Sequence, residues 1–243
     1  MPDVAELLDT WEAGLAAREQ HRTLLLHALA RPGAALDRLR AVPVGERDAD
    51  LCGLRRYLFG DELALRVACR ACGAELEFAL AARDLVAAAP SIDGAAVHEL
   101  TDGEWAVRFR LPTVADLDAA SEAGPDAARR VLLARCVVSA RWGGRAVDAD
   151  ELPMEVQERM AERATEADPR ADIRLNLPCP ECGAQTKAVL DIGSALWQEL
   201  DAWARGTLRD VYLLASSCGW SEAEVLAMSP LRRRYYLKLA GHA

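Results

Sequence analysis

Aromatic side chains are scarce, 5% of 243 residues, and histidines number only four. With the histidines scattered, a Ser-His-Asp site has no natural place. No apolar run approaches the ~18 residues that cross a bilayer, so no membrane partner is expected. The opening Met-Pro-Asp-Val-Ala-Glu lacks the basic start and apolar core of a secretory leader. Positive charge is also short: 29 Lys and Arg face 38 Asp and Glu, leaving a net charge of −9. A binder of phosphate backbones usually carries a basic face, so tight nucleic-acid binding is not expected. There is no Walker loop, no Gly-rich dinucleotide fingerprint, no Gly-x-Ser-x-Gly elbow and no kinase signature. The acidic residues lie on polar helix faces at ordinary spacing. No catalytic constellation is visible, and the chain is not expected to be an enzyme.

Hydrophobic residues make up 51% and charged ones 28%, the balance of a globular chain and not of a disordered one. The informative residues are cysteines. Cys69-Arg-Ala-Cys72-Gly73 is echoed by Cys179-Pro-Glu-Cys182-Gly183. Each motif reads strand, knuckle, strand: Leu63 to Val67 and Glu75 to Leu80 around the first, Asp172 to Leu177 and Gln185 to Leu190 around the second. Each then passes an acidic residue, Asp84 or Asp191, into an apolar helical start. Two thiolates two residues apart can chelate one tetrahedral ion from a single turn, and a closed structural site needs four ligands. The glycine after the second cysteine allows the positive φ that closes such a turn. Cys69, Cys72, Cys179 and Cys182 are therefore the candidate ligands of one structural Zn²⁺. A redox dithiol is the rival reading, but that motif normally occurs singly near a βαβ pattern. Cys52, Cys136 and Cys218 fall on helical segments and read as buried small hydrophobes. The whole cysteine pattern fits a reducing cytoplasm.

Helical patterns fill most of the remaining chain. Residues 4–31 carry one amphipathic helix or two short ones, stopped by Pro32-Gly33. His21 and His27 lie there and read as surface residues. Residues 34–60 are helical with a break at Pro43-Val-Gly45 and a cap at Gly60. An alanine-rich helix after the first knuckle should end at Pro90. Val97 to Leu100, the turn Thr101-Asp-Gly103 and the alternating stretch from Trp105 to Leu111 predict a hairpin with a basic outer face. Thr113 and Asp116 stand at capping-box positions. After Gly124-Pro125 a helix is expected from Asp126, with Val131, Leu132, Arg135 and Val138 in its stripe, ending at Trp142-Gly-Gly144. Residues 153–167 form another amphipathic helix. A long helix follows the second knuckle and ends at Cys218-Gly219. Ser221 and Glu224 form a second capping box, and Ser229-Pro230 opens the last helix.

Several stretches together resemble a known family. They are Cys69 to Phe78, Phe109-Arg-Leu-Pro-Thr-Val-Ala-Asp-Leu117, Cys179-Pro-Glu-Cys182-Gly, Leu196-Trp-Gln-Glu-Leu-Asp-Ala-Trp203, and Gly219-Trp-Ser-Glu-Ala-Glu-Val-Leu-Ala-Met228. In this order they are similar to the T4-like baseplate hub assembly chaperones of contractile phage tails and phage-derived contractile injection systems. The likeness covers most of the chain after about residue 45 and is clearest from Cys179 onward. It implies a structural or assembly role, with baseplate or hub proteins as partners. It also implies a cytoplasmic protein that can enter a phage-tail-like particle. The rival from the cysteines alone is a zinc-ribbon nucleic-acid-binding regulator.

The expected fold is α+β and mostly helical. A zinc ribbon is built from two distant CxxC β-hairpins, with a helical and hairpin insertion between them and a C-terminal helical region. The expected segments are residues 1–60, N-terminal helices; 61–90, first half of the ribbon; 91–170, insertion; 171–192, second half; and 193–243, C-terminal helices. Tyr, Trp and Arg dominate the energetic centres of protein interfaces. On that ground Trp220, Arg232, Arg233 and Tyr236 form the candidate partner surface.

Overall fold

The computed structural model describes residues 2–87 and 96–242. It is α+β and mostly helical, with small antiparallel sheets. The first segments are α1 (Val4–Leu15), α2 (Glu19–Ala30), α3 (Leu36–Arg40), α4 (Val44–Phe59), β1 (Glu62–Ala68), β2 (Glu75–Ala81) and α5 (Ala82–Ala87). The middle holds β3 (Val97–Asp102), β4 (Trp105–Arg110), α6 (Val114–Ala123), α7 (Pro125–Cys136), β5 (Val137–Trp142), β6 (Arg145–Val147) and α8 (Met154–Ala167). The chain ends with β7 (Arg174–Pro178), β8 (Gln185–Val189), α9 (Ile192–Cys218), α10 (Glu222–Leu226) and α11 (Pro230–Leu239). The chain divides into two compact units, residues 26–193 and residues 1–25 with 194–243. The alanine-rich helix forms as α5, while its expected end at Pro90 lies outside the described residues.

In the larger unit, β3, β4, β5 and β6 make a four-stranded antiparallel meander. Alternation along β4 turns Val107 and Phe109 inward and leaves Ala106 and Arg108 exposed. The inward side chains join Leu133, Ala140, Leu152, Val156 and Met160 in one core. Here the structure corrects the sequence reading. The helix expected to run to Trp142 stops at Cys136, and the next residues are β5. Val137 and Val138 are β-branched, which favours the pleated sheet over a helix's last turn. Gly143 and Gly144, at φ 55° and 84°, form the two-residue turn into β6 instead of a helix stop.

Pro43 stands at the N-cap of α4 and has no side-chain acceptor with which to cap it. The cap comes from far along the chain. Gly45 N–H donates to Asp168 Oδ2 at 2.9 Å, placing a carboxylate at the helix N-terminus. Burial pushes the Asp168 carboxyl above its ordinary value, against the lowering effect of the Gly45 amide. A Cβ at residue 45 would stand 1.8 Å from Asp168 Oδ1. Gly45→Ala should therefore cost about 2–3 kcal/mol, since the carboxylate must move and its hydrogen bond is lost. Chemical denaturation reads this directly; an unchanged midpoint would refute the contact.

The capping box at Thr113 forms as expected, and its Asp116 does more than cap. The carboxylate is fully buried. Oδ2 accepts from Thr113 N and Thr113 Oγ1, each at 2.8 Å. Arg110 donates through Nη1 to Oδ2 at 2.6 Å and through Nη2 to Oδ1 at 3.0 Å. Arg135 Nε donates to Oδ1 at 2.7 Å. One side chain thus ties the end of β4, the start of α6 and the last turn of α7.

Two further expectations are corrected. His27 is not a surface residue: it is fully buried, with Nε2 3.0 Å from Asp50 Oδ2. His21 is exposed as expected. Cys52 and Cys136 are buried small hydrophobes, but Cys218, at the end of α9, is exposed.

The smaller unit pairs α1 with α9. Trp11 Nε1–H donates to Asp201 Oδ1 at 2.8 Å. The Trp197 ring lies so close to Gly14 that a Cβ there would stand 2.3 Å from it. Arg22 stacks over the other part of this arrangement, 5.0 Å from the Trp197 ring centre. Farther along, Val211 and Leu214 of α9 pack with Val225 of α10 and Leu237 of α11.

Candidate metal centre

The two hairpins repeat one local design. β1 and β2 are antiparallel, with Ala68 opposite Glu75 at the open end. β7 and β8 are antiparallel, with Pro178 opposite Gln185. In the first turn Cys69 N donates to Ala74 O at 2.8 Å, and Gly73 N to Cys69 O at 2.9 Å. In the second, Cys179 N donates to Ala184 O and Gly183 N to Cys179 O, both at 2.9 Å. Gly73 and Gly183 take φ of 76° and 72°, a region that side-chain-bearing residues seldom adopt.

These turns bring all four sequence-predicted cysteines together. Their sulfurs lie within 4.8 Å of one another, and no second such cluster occurs among the described residues. Cys69 Sγ is 3.8 Å from Cys182 Sγ, and Cys72 Sγ is 3.7 Å from Cys179 Sγ. Each close pair therefore joins one hairpin to the other. A disulfide would need about 2.05 Å, so the sulfurs are not bridged. Zinc–sulfur bonds of about 2.3 Å place tetrahedral sulfurs about 3.8 Å apart, which is the spacing of these two pairs. Cys69 and Cys179 are buried, and Cys72 and Cys182 face outward.

The surroundings fit a charged cluster of this kind. Thr186, on β8, is buried, and its hydroxyl has no hydrogen-bond partner of normal geometry. Its influence falls on Cys69: with the Cys72 and Ala71 amides, it draws that thiol down to about 6. The Ala74 amide pulls Cys72 the same way. The sulfurs of Cys182, Cys179 and Cys69, together with burial, outweigh it and push Cys72 up to about 12. One thiol ionises readily and its neighbour is held back, as expected where negative charges crowd without a cation. A dication removes that conflict, so the donor set suits a thiolate-binding metal. Thr186 was missed from the sequence. It lies four residues after Cys182, and only hairpin pairing aims it at the opposite knuckle.

The candidate partner residues are placed differently. Trp220 and Tyr236 meet edge to face, with ring centres 4.8 Å apart. Arg232 is exposed, while Arg233 is buried. No helix among the described residues is long and apolar enough to cross a membrane.

A family model described as T4 bacteriophage base plate protein matches residues 25–196. The chain belongs to that family. The match takes in both knuckles and everything between them. In extent it nearly coincides with the larger compact unit, residues 26–193. Within this base plate family protein, α10 and α11 lie beyond the matched stretch. Searches of curated proteins and of solved structures gave no match.

Proposed function

We propose that this base plate family protein is a structural or chaperone-like assembly component of a contractile tail, of a phage or of a phage-derived injection system. It acts by contact with other baseplate or hub proteins and not by catalysis. A structural Zn²⁺, held by Cys69, Cys72, Cys179 and Cys182, joins its two hairpins into a ribbon. The observation that carries this reading is the four-sulfur cluster, drawn from knuckles 107 positions apart, inside the family-matched stretch. A metal there cross-links two hairpins of the larger unit that lie far apart in sequence. By the rule for disulfides, closing a loop of that length contributes about 4–5 kcal/mol through the unfolded state. No observation favours the nucleic-acid-binding regulator, and the net charge of −9 argues against it.

The function is tested by removing the gene from cells that produce the tail particle. Without the chain, particles should lack complete baseplates when viewed by electron microscopy. The wild-type gene should restore them, and a Cys182→Ser gene should not. Normal particles in the gene's absence would defeat the assignment. A duplex-DNA titration at physiological salt should show only weak, sequence-independent binding; nanomolar specific binding would favour the regulator.

A further inference from the structure

Helix α11 carries Arg232, Arg233, Arg234 and Lys238 and no acidic residue, in a chain whose net charge is −9. Elsewhere many of the arginines meet carboxylates. Arg205 pairs with Asp201, Arg31 with Glu46 and Asp50, and Arg110 and Arg135 with Asp116. Among the described residues, none of the four cations of α11 has such a partner. Arg233 faces inward: it is 3% exposed and stands one turn before Leu237, on the packed stripe of the helix. Arg232 and Arg234 are exposed, on either side of the opposite stripe.

The rest of the helix surface is apolar where it should be polar. Leu231, Tyr235 and Leu239 are 65%, 64% and 82% exposed. Trp220, edge-on to Tyr236, stiffens the flank of this surface. Cations beside exposed leucine and tyrosine suit a ligand that is both anionic and apolar. A phosphate backbone offers nothing to the leucines, and the chain's overall charge repels a polyanion.

We propose that α11 receives an acidic, partly apolar segment of another baseplate protein. Carboxylates of that segment pair with the exposed guanidinium groups of Arg232 and Arg234, which stand on either side of the Leu231, Tyr235 and Leu239 stripe. Apolar residues of the same segment cover Leu231, Tyr235 and Leu239. The inference rests on the baseplate reading and gives its partner a chemistry. It also gives α11, outside the family-matched stretch, a role of its own.

The test places a photo-cross-linking amino acid at Tyr235 in the full chain, inside cells that assemble the tail particle. Mass spectrometry then identifies what is captured. The expected product is one segment of another baseplate protein with net negative charge. The exposed pair Arg232→Glu and Arg234→Glu should lower the yield at least tenfold, and reversing the acidic residues of the captured segment should restore it. Capture of nucleic acid, of a second copy of this chain, or of a neutral or basic segment would overturn the proposal, as would an undiminished yield in the doubly reversed chain. Particles that need the chain but give no acidic cross-link at Tyr235 defeat this inference alone. Particles that form without the chain defeat the baseplate reading beneath it.

Discussion

Cys69→Ser and Cys182→Ser chains should each lose their zinc and most of the stability of residues 26–193. The wild-type chain should carry one zinc per molecule, released by a thiol-reactive reagent. Each substitution opens a four-ligand site, and closed structural zinc sites contribute folding free energy outright. The loss includes the ~4–5 kcal/mol of loop closure and the metal–thiolate bonds themselves. That exceeds the margin by which many domains are stable. The control lies in the remaining cysteines. Cys136→Ala removes one buried sulfur and should cost about 1 kcal/mol. Cys218→Ala, on an exposed side chain, should cost less still. Equal effects across the two groups, or a metal-free chain with an unchanged melting curve, would contradict the assignment. Thr186→Val supplies a finer measurement. It should keep the zinc but bind it less tightly, since the Thr186 hydroxyl favours the ionised Cys69 thiol.

Asp116→Ala should be the most damaging substitution away from the cysteines, at about 3–5 kcal/mol. The carboxylate is fully buried, and its removal leaves Arg110 and Arg135 without their acceptor and the start of α6 without its cap. Asp116→Asn keeps the shape and part of the cap but not the charge, so it should fall between wild type and alanine. The pH dependence follows from the same contacts. Burial alone would raise the Asp116 carboxyl, but hydrogen bonds from Arg110, Thr113 and Arg135 outweigh it and hold the group well below the usual carboxylate range. Its folded value is thus depressed. The stability it supplies is complete above the unfolded value of about 3.9 and drains away as pH falls toward the folded one. Unfolding free energies at pH 7 and pH 3 should therefore differ more in wild type than in Asp116→Asn. Asp48 and Asp168 act with opposite sign. Burial raises both, so they penalise folding at neutral pH and cease to do so as acid protonates them. Acid titration of Asp168→Asn separates the two contributions.

The sequence was clearest where chemistry is local. A CxxC turn has its ligands two residues apart, so both halves of the cluster were visible without knowledge of the fold. The same holds for the caps at Thr113 and Ser221 and for the stops at Gly60 and Gly219, where one turn of backbone decides the outcome. Legibility failed where distant segments decide. Nothing near His27 announces Asp50, 23 positions away, which meets its Nε2 inside the unit. Asp116 was recognised as a cap, but its arginines come from a strand and from another helix. Val137 to Trp142 could continue a helix by apolar spacing, and pairing with β4 and β6 made it a strand. Arg233 resembled its neighbours in the arginine triplet, and only the packing of α11 turned it inward.

The order of the two knuckles also has a consequence in time. A chain leaves the ribosome from its N-terminus at about 5–20 residues per second. Cys72 therefore emerges about 5–20 s before its close partner Cys179, 107 positions later. During that interval Cys69 and Cys72 are an open pair of thiols in a nascent chain, and the hairpin that carries them has no mate. The larger unit cannot close until translation has nearly finished its family-matched stretch. Any baseplate partner that recognises the closed unit will meet only a completed chain.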